Sequence, residues 1–252
     1  MTSSVHIGTS GWHYQHWKGT FYSSDIKPEA MLRAYVQHFG SVEINNSFYR
    51  LPTTEAVKSW VKQTPGNFVF TVKASRYITH NRKLKYPKES LAKFLAMAKG
   101  FGKKLGCILF QLPPGWNVNA DRLAEFLEAL PTRFRYAFEF RNESWQTASV
   151  MRLLTKYNAA FCIFELNGFR SAATPTADFV YVRLHGPGNA YQGEYSEASL
   201  REWARKIESW KMQMRDVYFY FDNDQAGYAA RNALTLGSLV GLDLTRQERS
   251  TG

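Results

Sequence analysis

Phe179-Val180-Tyr181-Val182-Arg183-Leu184-His185 alternates two kinds of side chain, and that alternation decides the fold. Successive side chains of a β-strand point to opposite faces. Val180, Val182 and Leu184 therefore share one face, and Tyr181, Arg183 and His185 share the other. The pattern recurs on both sides of this stretch. Val42 and Ile44 oppose Glu43 and Asn45, Phe70 and Val72 oppose Thr71 and Lys73, and Phe110 and Leu112 oppose Gln111. Phe138 and Phe140 oppose Glu139 and Arg141, and Phe219 and Phe221 oppose Tyr220 and Asp222. In each case one face is apolar and the other turns polar towards the C-terminal end of the strand. Solvation does not explain the polar face, because parallel strands are covered on both sides.

Eight strand candidates follow from this reading: 6–10, 42–48, 68–74, 106–112, 136–141, 160–165, 179–185 and 217–222. Helical patterns fill the gaps at 28–39, 54–63, 90–101, 120–130, 149–157, 197–214 and 227–240. Pro28 suits a first helical position and Ser196 suits a cap. Segment 166–178, with Gly168 and Pro175 and little periodicity, reads as a loop, so the helix between strands six and seven is expected to be missing or irregular. Strands alternating with helices pair in parallel through right-handed crossovers. Eight units in 252 residues match a TIM-type (β/α)8 barrel, an α/β fold, with a doubly wound open sheet as the alternative. A single domain is expected over 1–242, followed by a polar, frayed tail at 243–252.

In such a barrel the polar face points into the C-terminal mouth, where active sites are built. The expected mouth holds Glu43, Asn45, Lys73, Gln111, Glu139, Arg141, Arg183, His185 and Asp222, with Glu165 as a weaker member. Lys73, Arg141 and Arg183 are suited to clamping a carboxylate or phosphate. Glu43, Glu139, Asp222 and His185 are the candidates for acid–base work, since neighbouring carboxylates push their pKa values apart and histidine titrates near neutrality. The bland alternative is an ion-pair network that merely closes the barrel. In the aromatic run after strand one (Trp12, Tyr14, Trp17, Phe21, Tyr22), Trp12 is expected to stack on a ligand and the others to pack as a satellite core. Tyr49 follows strand two at the mouth. Arg76 opens a basic loop, 75–84, that reads either as an anion-binding lid or as a solvated loop.

The chain carries 32 Lys+Arg against 21 Asp+Glu, a formal charge of +11. Segment 73–104 holds ten of the basic residues and one acid, Glu89, so most of the excess sits on the third βα unit. That distribution points to one loop rather than to a coat for wrapping nucleic acid. No HExxH, CxxC, GxGxxG or P-loop pattern is present, so no cofactor is expected, with a divalent metal as the minor alternative. Cys107 and Cys162, each in an apolar run, read as buried thiols. Without a signal segment or a membrane-length apolar run, a cytoplasmic location is expected, with no membrane partner.

At these residues the chain resembles the YecE-like family, the domain of unknown function numbered 72. The resemblance is carried by Gly8-Thr9-Ser10-Gly11-Trp12, Val42-Glu43-Ile44-Asn45 through Ser47-Phe48-Tyr49-Arg50-Leu51-Pro52, and Lys73-Ala74-Ser75-Arg76-Tyr77-Ile78-Thr79-His80. It continues in Leu109-Phe110-Gln111-Leu112-Pro113-Pro114, Glu139-Phe140-Arg141, Ser144-Trp145, Arg183-Leu184-His185-Gly186 and Asp222-Asn223-Asp224. It spans about 7–240, implies a TIM-type barrel, adds Asn223 to the candidate ligand contacts, and brings a loose link to sugar isomerases without an established activity. Three departures stand out: Asn142 where the family often has a histidine, Asp222 where asparagine is common, and Leu166-Asn167-Gly168 in place of an acidic-then-proline pattern. The function expected is an enzyme (isomerase, lyase or hydrolase) that binds a small anionic or sugar-like ligand at the mouth. The alternatives are a nucleic-acid-binding protein using the basic loop, and a non-catalytic scaffold.

Overall fold

Eight parallel strands alternate with helices in the order that the sequence pattern predicts. In the computed structural model, which describes residues 3–242, they are β1 (Val5–Thr9), β2 (Ser41–Ile44), β3 (Val69–Lys73), β4 (Leu105–Leu112), β5 (Tyr136–Phe140), β6 (Ala160–Leu166), β8 (Phe179–Leu184) and β9 (Asp216–Phe221). The expected tail at 243–252 lies outside the described residues. The helices are α1 (Met31–Tyr35), α2 (Thr54–Gln63), α3 (Pro87–Lys99), α4 (Ala120–Glu128), α5 (Ala148–Lys156), α6 (Glu197–Met212) and α7 (Tyr228–Leu239). Their starts have local causes. Thr53, Asn119, Thr147 and Ser196 each accept a hydrogen bond from the backbone N–H three residues on.

The strands form one sheet in the order β1-β9-β8-β6-β5-β4-β3-β2. The sheet curls into a barrel whose remaining seam lies between β1 and β2, bridged in parallel at Ser10 and Glu43. Elsewhere along the seam a side chain stands in for the ladder: the Tyr35 hydroxyl accepts from Thr9 N–H and donates to the Ser41 carbonyl, both at 3.0 Å. Gly8 permits this approach, because a Cβ there would lie 2.2 Å from the Ser41 oxygen.

No helix occupies 166–178. Instead β7 (Phe169–Arg170) folds back antiparallel on β6. Asn167 and Gly168, at φ 52° and 74°, make the tight Asn-Gly hairpin that those two residues favour. One boundary is corrected: the second strand, expected to reach Phe48, ends at Ile44 and gives way to a 3₁₀ turn over Asn46–Phe48. The Ser47 hydroxyl caps the turn against the carbonyls of Ile44 and Lys73.

The two faces of the strands carry two cores. Outward, Val42, Ile44, Phe70, Val72, Phe110, Phe138, Val180, Val182 and Phe219 pack beneath the helices with residues such as Trp203 and Ile207. Inward, Cys107, Leu109, Ala137, Cys162, Tyr181, Tyr218 and Tyr220 fill the barrel. Both cysteines are buried free thiols. The tyrosines reach across the axis to polar partners: Tyr220 Oη meets Thr71 Oγ1 at 2.9 Å, and Tyr181 Oη donates to Glu43 Oε2 at 2.6 Å. Among the described residues no helix is long and apolar enough to cross a membrane.

Tyr35→Phe strips the seam of its bridging oxygen and leaves a buried N–H and a buried carbonyl unpaired. Urea denaturation is expected to show a loss of about 1–3 kcal/mol; unchanged stability would mean that the seam does not rest on this hydroxyl.

Candidate functional site at the barrel mouth

Arg183, on β8, is fully buried at the centre of the mouth. Its Nε donates to Glu43 Oε2 at 3.0 Å, Nη1 to Glu139 Oε2 at 2.7 Å, and Nη2 to Glu43 Oε1 at 2.7 Å and Asp222 Oδ2 at 3.0 Å. Nη2 also donates to Ser10 Oγ at 3.1 Å, and Nη1 lies 3.3 Å from His185 Nε2. Every nitrogen of the guanidinium is thus engaged by the protein. This corrects the expectation that Arg183 clamps a ligand anion: its fork is already filled by three carboxylates from β2, β5 and the end of β9. An isolated charge at such depth would cost several kcal/mol, and mutual pairing removes that penalty.

The carboxylates are locked in turn. Glu139 also accepts from Arg141 Nε at 2.7 Å, and Glu43 from Tyr181 and Ser10. Burial pushes the Glu139 carboxyl up, but Arg141, Arg183 and His185 outweigh it and hold it well below the usual range. Burial likewise raises Asp222, and Arg183 and His185 bring it below its ordinary value. His185 lies fully buried with Nδ1 2.9 Å from Asp222 Oδ2 and Nε2 facing Arg183, Arg141 and Glu139. Among the described residues no group of three or more His, Cys, Asp or Glu side chains is arranged to hold a metal ion. A guanidinium occupies the space between the carboxylates.

Around this filled centre runs a cationic rim. Lys73, at the end of β3, is 6% exposed and, among the described residues, has no ion pair. Its Nζ sits 4.4 Å from the centroid of the Phe48 ring. Burial first, then Arg183, drives its pKa down to about 8, against the pull of Glu139, Asp222 and Glu43. Arg76 is exposed, three residues beyond the end of β3, and also carries no ion pair among the described residues. Arg141 spans the two zones, holding Glu139 through Nε and donating from Nη1 to Tyr191 Oη at 3.0 Å.

The remaining expected residues divide. Gln111 is buried and donates to the Leu112 carbonyl. Asn45 is half-buried beside the 3₁₀ turn, with its Oδ1 unpartnered. Asn223 is fully buried, tying Gly193 to Asn232 through Nδ2 while its Oδ1 has no partner. Tyr49 is 72% exposed, its ring edge-on to Phe48, the ring that also meets Lys73 and His80. Trp12, expected to stack on a ligand, instead packs edge-on against Trp60 of α2 in the outer core. Glu165 shares the outward face of β6 with Ile163 and pairs with Arg170 at 3.0 Å, away from the mouth.

Three residues join the site that strand alternation could not supply. His80 lies on a single π-helical turn, Tyr77–Asn81, edge-on to Phe48 at 4.9 Å. Burial and the neighbouring Lys73, Arg76 and Arg141 hold its imidazole down to about 4. Such turns often mark functional positions. Asp224 follows β9, and burial together with Asp222 raises its carboxyl to about 6. Tyr191, at φ 63°, lays its ring against His185 with centroids 5.5 Å apart. Its loop is flagged in the sequence by Gly186 and Gly193, both at positive φ.

Arg183→Met leaves three buried carboxylates without their partner, and urea denaturation at pH 7 is expected to register a loss of about 3–5 kcal/mol. Glu139 and Asp222 have lowered folded values, so the stability they lend is full above the ordinary carboxylate range and is lost as pH falls through those values. The gap between wild type and variant is therefore expected to narrow towards acid pH. An equal gap at neutral and acid pH would contradict the network.

The model of the protein family of unknown function DUF72 matches residues 6–251. The chain is 26% identical to UPF0759 protein YunF of Bacillus subtilis (strain 168) over 273 aligned positions, covering 95% of each chain. It is 30% identical to UPF0759 protein YecE of Escherichia coli (strain K12) over 139 positions, which are 55% of this chain and 48% of that one. The crystal structure of a DUF72 family protein from Thermotoga maritima MSB8 superposes with a TM-score of 0.87 at 27% identity, covering 94% of this chain and 99% of that one. With this match over nearly its whole length, and with the motif residues gathered at one barrel mouth, the chain belongs to the DUF72 family.

Proposed function

We propose that this protein is a cytoplasmic enzyme that binds a small anionic, sugar-like molecule at the barrel mouth and moves a proton on it. One observation carries the reading. The mouth's three buried carboxylates make their direct contacts with Arg183, Arg141 and His185, which leaves Lys73 and Arg76 without an ion pair among the described residues. Lys73 offsets the carboxylate charge that two guanidinium groups leave over, so Arg76 and the outer edge of Arg141 present positive charge to an anion. Arg76 and the outer edge of Arg141 offer forked donors to a phosphate or carboxylate, and Lys73 adds charge below about pH 8.

The proton-transfer groups are better sought on the rim than in the centre. Glu43, Glu139, His185 and Asp222 are saturated by hydrogen bonds and act as the rigid support. Lys73, at about 8, lies close enough to neutrality to exchange a proton there, whereas Asp224, at about 6, faces His16 at 3.8 Å. Proton transfer beside a carbonyl, as in aldose–ketose isomerisation, is the chemistry that such an amine could serve.

A second reading rests on the basic loop. The Arg82 guanidinium lies over Tyr77 and Tyr86, at 5.2 and 5.8 Å, and both rings are exposed, an arrangement on which single-stranded bases could stack.

A thermal-shift screen with inorganic phosphate, sugar phosphates and sugar acids separates the two. The anion-binding reading expects stabilisation by at least one sugar phosphate or sugar acid, weakening above about pH 8 as Lys73 loses its proton. Arg76→Ala is expected to abolish the shift while leaving the unliganded Tm in place, since Arg76 is exposed and unpaired. No shift with any anion, together with tight, salt-steep binding of single-stranded RNA or DNA that Arg82→Ala removes, would transfer the assignment to the basic loop.

A further inference from the structure

Lys104 and Lys73 are both drawn into the protein, and they are used differently. Lys104, half-buried, donates from Nζ to the carbonyls of Val61 and Thr64 and to Thr64 Oγ1, at 2.7, 2.8 and 3.0 Å. Three acceptors for three N–H bonds is what a structural ammonium needs. Lys73 is more deeply buried and has no such set. Among the described residues no hydrogen bond or ion pair reaches its Nζ; the backbone carbonyl of Lys73, not its amine, takes the Ser47 hydroxyl. The near neighbour of Nζ is the face of Phe48, 4.4 Å from its centroid.

The groups facing this amine come from every side of the mouth. Glu43 on β2, Glu139 on β5 and Asp222 after β9 favour its charge, and Arg183 on β8 opposes it. The three carboxylates are already committed to Arg183, Arg141 and His185. His80, on the π-helical turn, packs against the same Phe48 ring and stays uncharged near neutrality. A buried ammonium without acceptors is costly, and the cost falls when the nitrogen gives up its proton. A desolvated lysine beside another cationic group is the arrangement that makes an amine nucleophilic. Here the amine sits at the C-terminal end of a barrel strand, beside the guanidinium groups that would hold an anion.

We propose that Lys73 forms an imine with the carbonyl of an anionic aldehyde or ketone ligand, while Arg76 and Arg141 hold the anionic group. This rests on the anion-binding reading above and names the substrate class: the open-chain carbonyl form of a phosphorylated sugar. The neutral nitrogen lone pair attacks the carbonyl carbon, a C–N bond forms, and the C–O π pair moves to oxygen. A nitrogen proton passes to that oxygen to give the carbinolamine. The C–O bond then breaks, the nitrogen loses its second proton, and the oxygen departs as water. Reprotonated on nitrogen, the imine draws electrons from the adjacent carbon and eases proton removal there, which links Lys73 to the proton transfer proposed for the site.

The test is reductive trapping on the full chain. The protein is incubated with glyceraldehyde 3-phosphate or dihydroxyacetone phosphate and treated briefly with sodium borohydride, which reduces an imine to a stable secondary amine. Peptide mapping is expected to find one adduct per chain, on Lys73, forming faster as pH rises towards about 8 and suppressed by excess inorganic phosphate. Lys73→Arg keeps the charge and is expected to keep the anion-induced thermal shift while losing the adduct. Lys73→Met, which keeps the side chain's length against the Phe48 ring, checks that loss of the adduct is not loss of the fold. Scattered labelling of exposed lysines, with Lys73 unmarked, would overturn the imine while a surviving thermal shift left the anion site standing. Loss of both adduct and shift would overturn both.

Discussion

A single buried guanidinium organises the top of this barrel. Arg183 joins carboxylates from β2, β5 and the end of β9, strands that stand on different sides of the barrel. Each of these charges alone would be expensive to bury, and together they are mutually satisfied. The consequence is mechanical as well as energetic: the strand ends that meet at the mouth are tied to one rigid group. The tyrosines below, and the Tyr35 hydroxyl in the β1–β2 seam, extend the same polar stitching through an otherwise apolar barrel.

In the proposed reading, that saturation moves the chemistry outward: a group whose hydrogen bonds are all spent inside the protein orients its neighbours, and a group held without partners would be the one to meet a ligand. Lys73 and Arg76 belong to the second kind, and Arg141 shares both roles. Functional constellations are commonly built this way, with reactive groups held by a support whose own rotamers are locked. The βα loops that carry Arg76, His80, Tyr191 and Asp224 are where barrels place variable function, while the strand ends beneath them stay fixed.

Strand alternation made the architecture and most of the mouth legible, because period two follows from backbone geometry and needs no tertiary information. Glu43, Lys73, Glu139, Arg183 and Asp222 could be placed on one face from sequence alone. What alternation could not tell was which charges neutralise one another. Arg183 and Arg76 look equally suited to an anion in the sequence, and only three-dimensional pairing shows that one is filled and the other open. Alternation also fails where the strand stops: it places Asn45 on the strand, which ends at Ile44. His80, Asp224 and Tyr191 lie on turns without a period. Two local signals were available and carry the corrections. Asn167-Gly168 marks a tight hairpin where a loop was read, and Trp12 lies in an aromatic run whose ordinary role is packing.

The division between a closed centre and an open rim is tested most directly by a crystal structure of the protein soaked with a sugar phosphate. The expected result is phosphate density within hydrogen-bonding distance of Arg76 and Arg141, with Lys73 beside the ligand's carbonyl carbon and the bonds from Arg183 to Glu43, Glu139 and Asp222 unbroken. Phosphate bound to Arg183 itself, with any of those carboxylates displaced, would contradict the assignment of Arg183 as the fixed centre and of the rim as the binding site.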